Sequence, residues 1–127
     1  MKTKEINEYL KAKIKDKKGI ALVKRLIKKE GQVFLDIEDI KSVIDGSKET
    51  EFFSGDEGDF ASNIKNPERI NGAAIRVECP KDAELKRDLL PAISRITEKM
   101  NDDVHIVWGA GIKKSIKKIR FYAVLGY

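Results

Sequence analysis

Apolar positions in the first 45 residues recur at intervals of three and four, the spacing of helices that bury one stripe. Ile6, Leu10 and Ile14, widened by Tyr9, predict a helix over 4–17. Beyond Gly19, the positions Ile20, Val23, Leu26 and Ile27 predict a second helix over about 20–30, with Gly31 where a terminating glycine belongs. The short apolar run Val33-Phe34-Leu35 then leads into Asp36, whose side chain can cap a third helix over 37–45 that carries Ile37, Ile40 and Ile44 on one side. Gly46 and Ser47 end it.

From residue 50 the period shortens to two. Residues 50–53 read as a strand, followed by a polar loop over 54–59 and an irregular stretch over 60–71 broken by Pro67. Ala73, Ile75, Val77 and Cys79 alternate with Ala74, Arg76 and Glu78, the pattern of a half-buried strand. A helix over 82–100 follows, with Leu85, Leu89, Ile93, Ile96 and Met100 in step and Pro91 set to kink it. Val104, Ile106 and Trp108 predict the inward face of a third strand, Gly109 to Gly111 a turn, and Ile119, Phe121, Ala123 and Leu125 the last strand. The order α-α-α-β-β-α-β-β predicts an α+β fold, a two-layer α/β sandwich with a four-stranded mixed sheet and its helices on one face. The stretch 80–103 is the crossover expected to join parallel neighbours with a right-handed turn. Residues 1–127 are expected to form a single domain, with 1–19 as an extra N-terminal helix.

Composition narrows the function classes. Hydrophobic residues make up 41%, enough for a core, and charged residues 37%, well above the roughly 25% of an average globular protein. Glutamine occurs once, at Gln32, and that balance of many charges and few amides has a thermophilic look. The net charge of +5 is concentrated. One cluster runs from Lys2 to Lys29 and a second comprises Lys113, Lys114, Lys117, Lys118 and Arg120. Such clusters fit a solvated face as readily as an anionic partner, including nucleic acid. The lone Cys79 allows no internal disulfide, no stretch has the apolar length of a membrane span, and the basic start leads into no apolar signal core. Together these predict a cytoplasmic protein.

Candidate chemistry is sparse. Gly109-Ala110-Gly111-Ile112-Lys113-Lys114-Ser115 lacks the glycine before lysine and the spacing of a phosphate-binding loop. His105 and Cys79 have no companions with which to build a zinc site, so neither a metal nor a cofactor is expected. Asp36 and Asp39, three apart at a helix start, fit two readings: helix cap and dipole partner, or a functional acidic pair.

The run from Gly31 to Ile44, Gly-Gln-Val-Phe-Leu-Asp-Ile-Glu-Asp-Ile-Lys-Ser-Val-Ile, resembles the loop and helix that open the C-terminal domain of the FtsZ branch of the tubulin superfamily. There the pattern is Gly-Leu-Ile-Asn-Val-Asp-Phe-Ala-Asp-Val-Lys-Thr-Val-Met. The resemblance continues in order through Gly46 to Asp59, Asn71 to Val77, Asp103 to Ile112 and Ile119 to Tyr127, and so covers about residues 20–127. It implies an FtsZ/tubulin C-terminal-domain-like fold without the glycine-rich GTP-binding domain. In that family the loop enters the nucleotide pocket of the neighbouring subunit, where its two aspartates orient the attacking water. Asp36 and Asp39 match those positions, while Phe34 replaces the family's asparagine and the region 59–67 is several residues shorter.

What the resemblance implies is a non-enzymatic protein that docks on a filament-forming, FtsZ-like or tubulin-like GTPase and modulates its polymerisation or GTP turnover, as in cell division. The docking residues would be Gln32, Phe34, Leu35, Asp36, Glu38 and Asp39, and Asp36 and Asp39 could complete a GTPase site in trans. The alternatives are a self-assembling structural protein, a homo-oligomer among them, and a basic nucleic-acid-binding module. The helix at 4–17 would cover apolar surface that the missing domain normally buries.

Overall fold

The computed structural model describes residues 2–28 and 33–127. Two helices open the chain, α1 (Thr3–Lys13) and α2 (Lys17–Leu26). The boundary differs from the pattern-based one because Asp16 accepts a hydrogen bond from the Lys18 amide and starts α2 there, so Gly19 lies inside the helix and does not separate it from its neighbour. A Cβ at Gly19 would meet the Ile14 and Phe52 side chains at 3.0 Å, so a larger residue there would require both to shift. Gly31, the expected stop, lies outside the described residues. Helix α3 (Ile37–Asp45) falls where expected, with Ile37, Ile40, Val43 and Ile44 buried.

The sheet has the order β1-β4-β2-β3, formed by β1 (Thr50–Gly55), β2 (Gly72–Cys79), β3 (His105–Ile112) and β4 (Arg120–Gly126). β4 pairs antiparallel with both β1 and β2, and β2 pairs parallel with β3. The parallel pair is joined through a π-helical turn at Leu85–Leu89 that runs directly into α5 (Leu90–Thr97), with Pro91, which lacks an amide donor, two residues past the π-helical turn.

Three local expectations are corrected. The polar loop and irregular stretch contain α4 (Glu57–Asn63), started by Asp56 and Asp59 in reciprocal cap bonds of 2.8 and 2.9 Å and held by Phe60, which packs edge-on against Phe53 at 5.3 Å. Gly109 to Gly111 do not turn the chain, since β3 runs straight through them. β2 is not half-buried but buried along its whole length, Arg76 and Glu78 included.

The last correction has a wider cause. The sheet carries helices on both faces, not one. Ala73, Ile75, Val77 and Cys79 join Leu89, Ala92, Ile93 and Ile96 of the crossover and Phe60 of α4. On the other face Ala74 and Val124 join Leu10 of α1, Val23 and Leu26 of α2, and Ile40 and Val43 of α3. A strand covered on both sides has no solvent face, so its alternating polar residues end up beneath a helix.

Candidate docking site

The segment before α3 is fixed at three successive points. Val33 exchanges two backbone hydrogen bonds with Ala110, of 2.9 and 3.3 Å, a short antiparallel bridge on the β3 edge of the sheet. Gly109 permits that approach: a Cβ there would stand 2.9 Å from the Val33 carbonyl oxygen and 3.3 Å from the Leu35 side chain. Leu35 then turns inward and is 2% exposed, among the residues that pack with Ile37 and Ile40. Leu35 is therefore an anchor of the segment and not the surface contact expected from the sequence. Phe34, between these two fixed points, faces outward and is 54% exposed.

Asp36 and Asp39 form a complete capping box. Asp36 Oδ1 accepts from the Asp39 amide at 3.0 Å and Asp39 Oδ2 accepts from the Asp36 amide at 3.0 Å. The cap reading of the pair holds, since the aspartates start the helix; Asp36 and Glu38 are exposed and Asp39 is half-buried. Each carboxylate uses a single oxygen in the box, so negative charge is displayed beside Phe34 at the helix end whose dipole favours it. Gln32 lies outside the described residues.

Helix α1 braces α3 from behind. The Tyr9 hydroxyl donates to Asp45 at 2.7 Å, Lys13 lies 3.7 Å from the same carboxylate, and Lys41 sits 5.2 Å over the Tyr9 ring. Burial, reinforced by the Asp45 carboxylate, holds the Tyr9 phenol far above its ordinary range, so it keeps its proton and donates its hydrogen bond to Asp45.

Elsewhere, His105 is exposed and its backbone amide donates to Asn71. Cys79 is buried, and burial pushes its thiol up to about 11. Among the described residues no group of three or more His, Cys, Asp or Glu could hold a metal ion, and no helix is long and apolar enough to cross a membrane.

What the sequence did not indicate is a convergence. Lys24, Arg25 and Lys28 of the first basic cluster and Lys113 of the second line one cavity together with Arg76 and Glu78 of β2. The available signal was a pair of charges inside an otherwise apolar strand, which alternation alone assigns to solvent.

No family model matches the chain, and no curated protein matches it in sequence. Solved structures do. FtsZ of M. jannaschii, in an empty dimer, matches at 22% identity and a TM-score of 0.68 over 85% of this chain and 36% of its own. The GDP-form protofilament structure of TubZ from Bacillus thuringiensis serovar israelensis matches at 14% identity and 0.58, over 84% of this chain and 34% of its own. CetZ from Methanosaeta thermophila matches at 16% identity and 0.57, over 86% of this chain and 34% of its own. The chain thus spans little more than a third of the length of the proteins it is similar to. At these identities the likeness is one of fold, and the fold is that of the FtsZ/tubulin superfamily in its C-terminal-domain-like form.

Proposed function

We propose that this domain docks, through the segment that opens α3, onto a filament-forming GTPase of the kind whose fold it shares, and alters that protein's polymerisation or GTP turnover. The observation that carries this reading is the exposure of Phe34 on a segment pinned by the Val33–Ala110 bridge and the Leu35 anchor. A large aromatic side chain held outward on a fixed backbone gives contact area at little ordering cost, which is how interface anchors work. Asp36, Glu38 and Asp39 surround it with negative charge that could select an electropositive partner face or reach a nucleotide site from outside. Protofilaments, in the TubZ structure, are assemblies of chains containing this same fold, which makes a filament a natural partner. The domain would bring a docking surface to a filament, and so cap it or retime its turnover.

The test is co-sedimentation with the filament-forming GTPase of the same organism, alongside its GTP turnover. Excess domain should change pelleted mass and turnover. Phe34→Ser should weaken the effect by about thirtyfold in half-maximal concentration, the scale of one interface anchor. The pair Asp36→Asn and Asp39→Asn, which keeps cap acceptors while removing charge, should weaken it less. Unchanged filament mass and turnover with excess unmodified domain would end this reading.

A further inference from the structure

We propose that the open edge of β1 is a homodimer interface, on which β1 of a second copy of this chain pairs antiparallel about a twofold axis through Phe52. β1 is an outer strand of the sheet, and among the described strands it pairs with β4 alone. The Tyr127 amide donates to the Glu49 carbonyl at 2.9 Å, one residue before the first pair of the β1–β4 ladder, Thr50 with Gly126. Bonded and unbonded pairs alternate in an antiparallel ladder, so Glu51, Phe53 and Gly55 turn their backbone groups to β4. Thr50, Phe52 and Ser54 turn theirs away from the sheet, and among the described residues no backbone group from elsewhere in the chain meets them.

These three residues are symmetric about Phe52, which makes the edge its own complement. With two copies antiparallel, Phe52 faces Phe52 and each Thr50 faces Ser54 of the other copy, with about six backbone hydrogen bonds exchanged. Edge strands that stay single are usually guarded by lysine or proline. β1, Thr-Glu-Phe-Phe-Ser-Gly, has neither, and its one charge, Glu51, accepts from the Tyr127 hydroxyl. There is room beside the strand on both faces of the sheet. A cavity of about 430 Å³ on the α2 side has Leu22, Phe52 and Tyr122 in its lining, and one of about 470 Å³ on the other side has Glu51 and Tyr127. Phe52 is only partly buried in one copy, and the pairing sets two such rings side by side. The positive excess of the chain does not extend to this edge. Apart from Arg25, which is paired with Glu78, the two cavities carry Asp16, Glu49 and Glu51 against Lys18, Lys65 and Arg69. Such a balanced edge meets a copy of itself without net repulsion, whereas it offers no field to select a strongly charged partner. The Phe34 segment lies at the opposite edge, on β3, so the inference does not depend on the docking reading.

Sedimentation equilibrium of the full chain from about 1 to 500 µM tests this. The mass is expected to rise from one chain to two, with half-dimerisation inside that range, the strength of a small interface. Thr50→Lys with Ser54→Lys, both at exposed positions, sets lysine opposite lysine twice and should weaken dimerisation at least about tenfold. Thr50→Lys with Ser54→Glu sets lysine opposite glutamate in the same register and should keep the dimer within about threefold of the unmodified chain. Thr3→Lys with Ser94→Lys, an equal gain of charge away from β1, should weaken it less than about twofold. Should a β1 variant not fold, hydrogen exchange of the unmodified chain replaces it: the Phe52 amide should exchange at least about tenfold more slowly in concentrated than in dilute protein. The mass of one chain at every concentration would leave the edge to a strand of a different protein and overturns the proposal. A dimer that the two β1 variants alter equally, or a Phe52 amide indifferent to concentration, places the interface elsewhere and overturns it too.

Discussion

At the scale of single residues, two positions carry more than their chemistry suggests. Gly109 has ordinary strand geometry, since the one positive φ among the described glycines is at Gly55. The demand for glycine is therefore steric: the Val33 carbonyl occupies the place of a Cβ. Gly109→Ala should destabilise the domain by about 1–3 kcal/mol, as overpacking does, and loosen the segment that displays Phe34. Urea unfolding measures the first, and faster exchange of the Ala110 amide the second. Cys79 makes a pH-dependent contribution. Its thiol lies near 9.0 when exposed and is pushed up to about 11 in the fold, by burial first and then by the charges of Asp88 and Glu78. The raised value means the folded state disfavours the thiolate. The associated stability is fully present below about 9 and lost as pH rises through about 11. Cys79→Ala should flatten the fall in melting temperature across that window, and the native thiol should resist alkylation at about pH 8 until the chain unfolds.

At the scale of elements, α2 and β2 are locked by a charge pair. Glu78 is 5% exposed, and Arg25 covers it from α2 with its side chain 36% exposed. Removing one partner strands the other. Arg25→Met should destabilise the domain by roughly 3 kcal/mol, the lower end for a broken buried pair, because Arg25 is partly solvated. Adding Glu78→Leu to that variant should recover much of the loss. Strictly additive effects in chemical denaturation would show that the pair contributes nothing as a pair. The capping boxes act at the same scale. Asp36 with Asp39 and Asp56 with Asp59 share one spacing, and each starts a helix directly after extended backbone.

At the scale of the whole molecule, one sheet separates two apolar clusters, and both are needed to bury its central strands. Leu10 of α1 and Ile96 of α5 lie in different clusters, and each is fully buried. Because β2 and β4 belong to both, the clusters should melt together. Leu10→Ala and Ile96→Ala should each remove about 2–5 kcal/mol and move one shared transition, followed by calorimetry and by circular dichroism. Two separate transitions would mean that α1–α3 fold independently of the rest. The two-sided cover also explains how a piece comparable to a third of an FtsZ-like chain keeps its sheet from water: α1–α3 close the face that would otherwise expose Ala74, Val124 and their neighbours.

Most of the strand positions and α3 with its cap were legible in the sequence because each rests on local periodicity and short-range hydrogen bonds, and the FtsZ-like fold was legible through the run from Gly31 to Ile44. Ile37, Ile40 and Ile44 mark one helix face whatever packs against it, and Asp36 caps that helix through an amide three residues away. Helix α4 was missed, because its polar composition reads as a turn, although Asp56 and Asp59 have the same spacing as Asp36 and Asp39. Which face of the sheet is covered was not determined locally. Arg76 and Glu78 alternate as solvent-facing residues would, and only the packing of α2 across β2 buries them. The straight passage of β3 through three residues that read as a turn rests on their pairing with Arg76, Val77 and Glu78 of β2, and the basic cavity on residues some ninety positions apart. A chain's own pattern specifies which residues leave water, whereas partners distant in sequence decide what they meet there.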